Sequence, residues 1–144
     1  MSAKQAASTE QDAELARATA AAFGRALTDG EVDGFLALLS RDVYYEAPSV
    51  MEHTRLKLNG RDEVREYIER TASEYQELGV ETKKVSDLGG GRFLMVGWWH
   101  AKPRQSATPF GTPVGAVLDI RDGSVVKLRA FFDEQLAVDA AKRD

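Results

Sequence analysis

Cysteine is absent from all 144 residues, which excludes a disulfide framework and any thiolate metal site. Histidine is scarce: His53 and His100 are the only two, and they stand far apart in the chain. Zinc sites use three or four ligands, so no metal is expected, and nothing in the chain calls for another cofactor. No apolar run approaches the roughly 18 residues of a membrane span. The Ala-rich stretch 18–26 follows Glu10, Asp12 and Glu14 and is bracketed by Arg17 and Arg25, the wrong charge order for a signal or transit peptide. A cytoplasmic protein without a membrane partner is the expectation. A basic excess is also missing, with 19 Lys+Arg against 23 Asp+Glu and a net charge of −4. Arg61, Arg65 and Arg70 alternate with Asp62, Glu63, Glu66 and Glu69, as on a solvated helix face, so no nucleic-acid partner is expected. The run Gly89-Gly90-Gly91 is followed by no helix and reads as a hairpin turn, not a phosphate cradle. No serine stands in a nucleophile-elbow context.

What is present is one domain's worth of chain, with 43% hydrophobic residues for a core. Residues 1–9 are small and polar and read as a flexible N-terminus, leaving 10–144 as the domain. From about Glu10, Leu15, Ala18, Thr19, Ala22, Phe23, Ala26 and Leu27 recur at helical spacing up to Asp29-Gly30. Asp33 is placed to cap a short second helix burying Phe35, Leu36, Leu38 and Leu39. Residues 41–48 form a strand stopped by Pro48, and 49–60 show no clean period. A third helix carries Val64, Tyr67, Ile68, Thr71, Ala72 and Tyr75 on one stripe and is expected to end at Gly79. Four strands follow, 80–88, 92–102, 114–121 and 124–132, the last two joined at Asp122-Gly123, a strong hairpin signal. The tail from Glu134 is amphipathic, with Asp133 as its cap. Helices before a meander mean an α+β fold, helices on one face of the sheet.

The segments 23–47, Asn59-Gly60-Arg61-Asp62-Glu63-Val64, 119–126 and Arg129-Ala130-Phe131-Phe132-Asp133 resemble the landmarks of the nuclear transport factor 2-like superfamily. Within it, the chain is most similar to SnoaL-like proteins and ketosteroid isomerase. The resemblance implies a cone-shaped α+β barrel: three N-terminal helices packed on a strongly bent antiparallel sheet around a pocket. The outer sheet face is expected to carry Phe131 and either Trp98 or Trp99, flanked by Arg129 and Lys127, an aromatic patch unusual on a monomer. The resemblance implies sheet-to-sheet pairing, so a homodimer through that face is the expectation. The fold hosts many reactions, so it does not name one. The isomerase set of a Tyr, a base Asp and a protonated Asp falls on Phe23, Ala47 and Ala116, none of which can move a proton. The Asp-Arg-Asp arrangement of limonene-epoxide hydrolases is missing as well, its last-strand Asp falling on Ala130.

Strand alternation then gives the pocket wall. Val114, Ala116, Leu118 and Ile120 form one inward set, and Val126, Leu128, Ala130 and Phe132 the other, with no ionisable group in either. Tyr45 shares the phase of Val43 and Ala47 and points inward, as a core tyrosine bonded to backbone or as a donor to a bound carbonyl. Glu46 faces the other way. On strand 92–102 the sets Leu94, Val96, Trp98, His100 and Phe93, Met95, Gly97, Trp99, Ala101 are both apolar, so periodicity does not say whether Trp98 or Trp99 faces in. If His100 does, it is a natural base beside Tyr45. His53 belongs to the loop where this fold closes its pocket. The expected function is binding of a small hydrophobic molecule against Phe23, Ala47, His53, Trp98 or Trp99, Ala116, Leu118, Leu128, Ala130 and Phe132. Tyr45 and His100 would carry acid–base chemistry of isomerase or cyclase type; the alternative is a non-catalytic homodimeric module.

Overall fold

The computed structural model describes residues 3–48, 55–106 and 108–143, with side chains from residue 10 onward. His53 therefore lies outside the described residues. The elements are α1 (Ala3–Asp29), α2 (Val32–Leu36), β1 (Leu39–Ala47), β2 (Leu56–Asn59), α3 (Arg61–Ser73), β3 (Tyr75–Gly89), β4 (Arg92–Pro103), β5 (Phe110–Arg121), β6 (Ser124–Phe131) and α4 (Glu134–Lys142). They build an α+β fold whose single six-stranded sheet runs β2-β1-β6-β5-β4-β3. The expected meander is present from β3 to β6, but the sheet is not wholly antiparallel: β1 pairs parallel with β6.

The helices depart from the expected set of three at the N-terminus. Only α1 and α2 precede the first strand, and α3 follows β2. A fourth, α4, packs on the opposite face of the sheet, where Ala137 and Ala140 close over Val117 and Phe131. The Asp133 carboxylate accepts from the Leu136 N–H at 2.9 Å, capping α4 as its sequence suggested. Asp33 is not a cap but sits in the first turn of α2, where it pairs with Arg65 of α3. Helical backbone extends back to Ala3, while α3 stops at Ser73, short of Gly79. Tyr75 joins β3 because residues from 75 onward find partners along β4, a ladder that satisfies more backbone groups than another helical turn.

Two of the sheet's register slips bear on the core. On β3 the register slips between Thr82 and Lys84, directly opposite Gly97 of β4. A Cβ at Gly97 would lie 2.2 Å from the Glu81 carbonyl oxygen, so the strands approach here only because the side chain is missing. Between β5 and β6 a second slip, at Asp119/Ile120, pairs Ile120 with Val125. It turns Val125, fully buried, into the core in place of Val126. The β5–β6 turn is Asp122 (φ 51°) and Gly123 (φ 78°), the double positive φ of a tight hairpin. The main core lies between the sheet's concave face and α1, α2 and α3, around Phe35, Leu39, Val43, Tyr45, Ile68, Phe93 and Leu118.

Candidate functional site

A small cavity remains inside this core. Ala20 and Phe23 of α1, Tyr45 of β1, Met95 of β4, Ala116 of β5, and Leu128 and Ala130 of β6 wall it, enclosing about 50 Å³. Phe23, Tyr45, Ala116, Leu128 and Ala130 are thus brought together from four elements. Ala47 and Leu118 are fully buried in the same core without lining the cavity. Trp99 and Phe132 also face inward, packed edge to face at 5.3 Å and 70°, with Tyr75 6.3 Å from Trp99. They pack as an aromatic cluster outside the lining.

The ladder settles the phase of β4. Met95 pairs with Ala116 and Phe93 with Leu118, so Phe93, Met95, Gly97, Trp99 and Ala101 share the concave side. Trp98 and His100 take the other side. His100 is exposed, its Nε2 3.8 Å from a Glu81 carboxylate oxygen, with both side chains more than half exposed. The expected pair of Tyr45 and His100 is therefore not assembled, and neither His100 nor Trp98 borders the cavity. Met95 is the wall residue that sequence alternation could not assign, because the two sets on β4 are equally apolar.

Three lining residues carry polar groups. The Thr19 hydroxyl donates to the Leu15 carbonyl at 2.7 Å, and Thr82 lies toward the rim. Tyr45 is 2% exposed, its ring 5.9 Å from that of Tyr67. Burial, with the Tyr67 phenol adding to it, pushes the Tyr45 hydroxyl well above its ordinary pKa. It stays protonated and can donate a hydrogen bond, but it cannot serve as a phenolate base. Its hydroxyl has no hydrogen-bond partner among the described residues.

The convex face is ionic. Glu46 accepts from Arg55 and, at 2.9 Å, from the Tyr44 hydroxyl. Arg55 also donates to the Ala130 carbonyl at 2.7 Å and lies 3.9 Å over the Phe131 ring. Burial alone would raise the Glu46 carboxyl, but the bonds from Arg55 and Tyr44 outweigh it and hold the group below its ordinary value. Arg92 clasps both Asp119 oxygens at 2.7 and 3.1 Å and donates to the Ala141 and Arg143 carbonyls, tying down the end of α4. Phe131 is only 7% exposed beneath this layer, so it does not form the outward aromatic patch its phase suggested. Among the described residues no group of three or more His, Cys, Asp or Glu is placed to hold a metal, and no helix is long and apolar enough to cross a membrane.

A family model described as the SnoaL-like domain matches residues 20–128. The chain belongs to the SnoaL-like family. Its fold is that of the nuclear transport factor 2-like superfamily, as three solved structures show. A Burkholderia pseudomallei NTF2-like protein of unknown function superposes with a TM-score of 0.73 at 19% identity, over 92% of this chain and 98% of its own. A Catenulispora acidiphila protein of ketosteroid isomerase-like fold, in complex with trimethylamine, gives 0.70 at 15%, over 85% and 91%. A Xanthomonas campestris pv. campestris protein provisionally assigned as a polyketide cyclase gives 0.68 at 18%, over 92% and 98%. A comparison with curated proteins found no match. In this SnoaL-like chain the positions that resemble the isomerase set, Phe23, Ala47 and Ala116, all belong to the apolar core around the cavity.

Proposed function

We propose that this SnoaL-like domain holds a small hydrophobic molecule inside its cone, without an acid–base pair of its own. The observation that carries the reading is the cavity wall, apolar apart from two threonines and one tyrosine held in its neutral form. A wall of this kind, with the Tyr45 hydroxyl lacking a hydrogen-bond partner among the described residues, selects an apolar guest carrying an acceptor, such as a ketone. Similarity to a provisional polyketide cyclase and to a trimethylamine complex supports small-molecule occupancy of the fold. The 50 Å³ volume limits the guest. A water needs about 10–15 Å³ on this measure, and drug-sized ligands occupy roughly 300–1,000 Å³ sites. The guest is therefore slender, or it swings the flexible Met95 aside.

Calorimetric titration with 2-hexanone and n-hexane tests this. Saturable binding of 2-hexanone is expected, stronger than that of hexane by roughly 3–10-fold, a preference that Tyr45→Phe removes. Absence of saturable binding by either probe overturns the reading. Isomerization of a Δ5-3-ketosteroid is expected to stay at background; turnover that survives Tyr45→Phe contradicts the matching of Phe23, Ala47 and Ala116 to the catalytic positions.

A homodimer through the convex face remains part of the proposal, moved away from Phe131. With α4 over one end, the free area centres on the half-buried Trp98 and its β5 partner, the exposed Pro113. Sedimentation equilibrium at micromolar concentration is expected to give twice the chain mass, and Trp98→Glu to shift it toward the monomer. A wild-type monomer contradicts it.

A further inference from the structure

Outside the cavity, an open groove of about 660 Å³ follows the junction of α1 with β3, the edge strand of the sheet. Three residues, Ala20, Val80 and Thr82, wall both the groove and the cavity. The two spaces therefore adjoin across these three residues. The groove is basic on a chain whose net charge is −4: Arg17, Arg25, Lys83 and Lys84 line it against the single acid Asp29. Arg17 and Arg25 lie eight residues apart on α1, about two turns, and so share a face. The bulge between Thr82 and Lys84 puts the two consecutive lysines on one side of the edge strand, that of Val96 and Trp98, from which both border the groove. Not all four cations are equally available. Arg25 pairs with Glu31 at 3.6 Å, and the Lys83 ammonium lies 5.9 Å from the centre of the Trp98 ring. Arg17 and Lys84 are exposed and form no ion pair among the described residues.

We infer that groove and cavity form one bipartite site for a small hydrophobic acid. Its anionic head rests on Arg17 and Lys84, and its narrow apolar tail passes Ala20 and Thr82 into the cone. The inference rests on the proposed apolar cavity and adds the ligand class. A neutral guest of equal length would use only the cavity, whereas an anion gains the field of a concave basic rim.

Hexanoate and 1-hexanol, equal in chain length and differing in charge, separate the two ideas. Titrations would use the whole chain, its Arg17→Gln/Lys84→Gln double variant and a Thr82→Trp variant that fills the junction of the two spaces at an exposed position. The expected result is tighter binding of hexanoate than of hexanol at low salt. The double variant should weaken hexanoate about tenfold, the combined size of two exposed charge contacts, and leave hexanol within about twofold. Raising the salt from 50 mM to 1 M should weaken only hexanoate, since the screening length falls to roughly 3 Å. Thr82→Trp should weaken both probes. Equal binding of the two probes, unmoved by the double variant, overturns the bipartite site and leaves the cavity reading standing. Hexanoate binding lost in the double variant but indifferent to Thr82→Trp overturns it as well, because the groove then acts alone. Binding of neither probe removes the cavity reading and this inference with it.

Discussion

Val117 and Leu118 are neighbours on β5, both fully buried, yet they belong to different cores. Leu118 faces the concave side and packs with Phe35, Ile68 and Phe93 under three helices. Val117 faces the convex side in a small cluster closed by α4. The concave face has given up nearly every polar group and keeps a hollow. The convex face is held by Glu46–Arg55 and Arg92–Asp119, with one short helix over it. One sheet thus separates a small apolar hollow from an ionic exterior, and the single histidine among the described residues belongs to the exterior.

The sharpest way to break this comparison is truncation on each side. Leu118→Ala should cost about 2–5 kcal/mol in urea unfolding. Val117→Ala should cost about 1–2.5 kcal/mol, since fewer methyl groups leave a cluster that one helix can close over again. A reversed order would mean that the α4 cluster, and not the cone interior, is the main core.

Glu46 sharpens the ionic side. Its folded-state pKa lies below the ordinary 4.5, so its contribution to stability is complete above that value and is lost as the pH falls through the lowered one. Glu46→Gln should therefore cost about 1 kcal/mol at pH 7, and the wild-type advantage should vanish in acid. Thermal unfolding from pH 7 to 3 checks it; a constant difference contradicts the pairing.

Tyr45 gives the opposite limb. Its folded pKa is raised well above 10.0, so stability held at neutral pH is lost as the pH rises past the unfolded-state value. Tyr45→Phe should change little at pH 7 but flatten the alkaline fall in thermal stability above about pH 10. An alkaline limb identical in both proteins would mean that Tyr45 is not buried. The smallest effect belongs to His100→Ala, within about 0.5 kcal/mol by denaturation, as for other exposed positions. A loss of several times that would place His100 in a packed environment.

Much of this contrast was legible in the sequence where alternation is clean. On β5 the apolar Ala116, Leu118 and Ile120 alternate with Asp119, and on β1 Val43, Tyr45 and Ala47 alternate with Tyr44 and Glu46, so both faces could be read. On β4 the alternation fails, because Trp98 and Trp99 are equally large and apolar, and only the ladder partners decide. Val126 was misplaced because a bulge adds one residue and inverts the phase beyond it. The strand β2 escaped notice because four mostly exposed residues have no period. The role of α4 was hidden because alanines at 137 and 140 pack by being small, not by being strongly apolar. Tyr75 matched a helical stripe, but a cross-strand partner outweighed the periodicity. The basic groove was invisible because Arg17 and Lys84 come to border one space only in three dimensions.

The central claim is that a guest enters the concave side. Backbone amide shift mapping during titration with 2-hexanone tests it most directly. The account predicts saturable shifts centred on Phe23, Tyr45, Met95, Ala116 and Ala130, with His100 and Arg92 unmoved. Shifts centred on Trp98, His100 and α4, with the cavity residues silent, would contradict it.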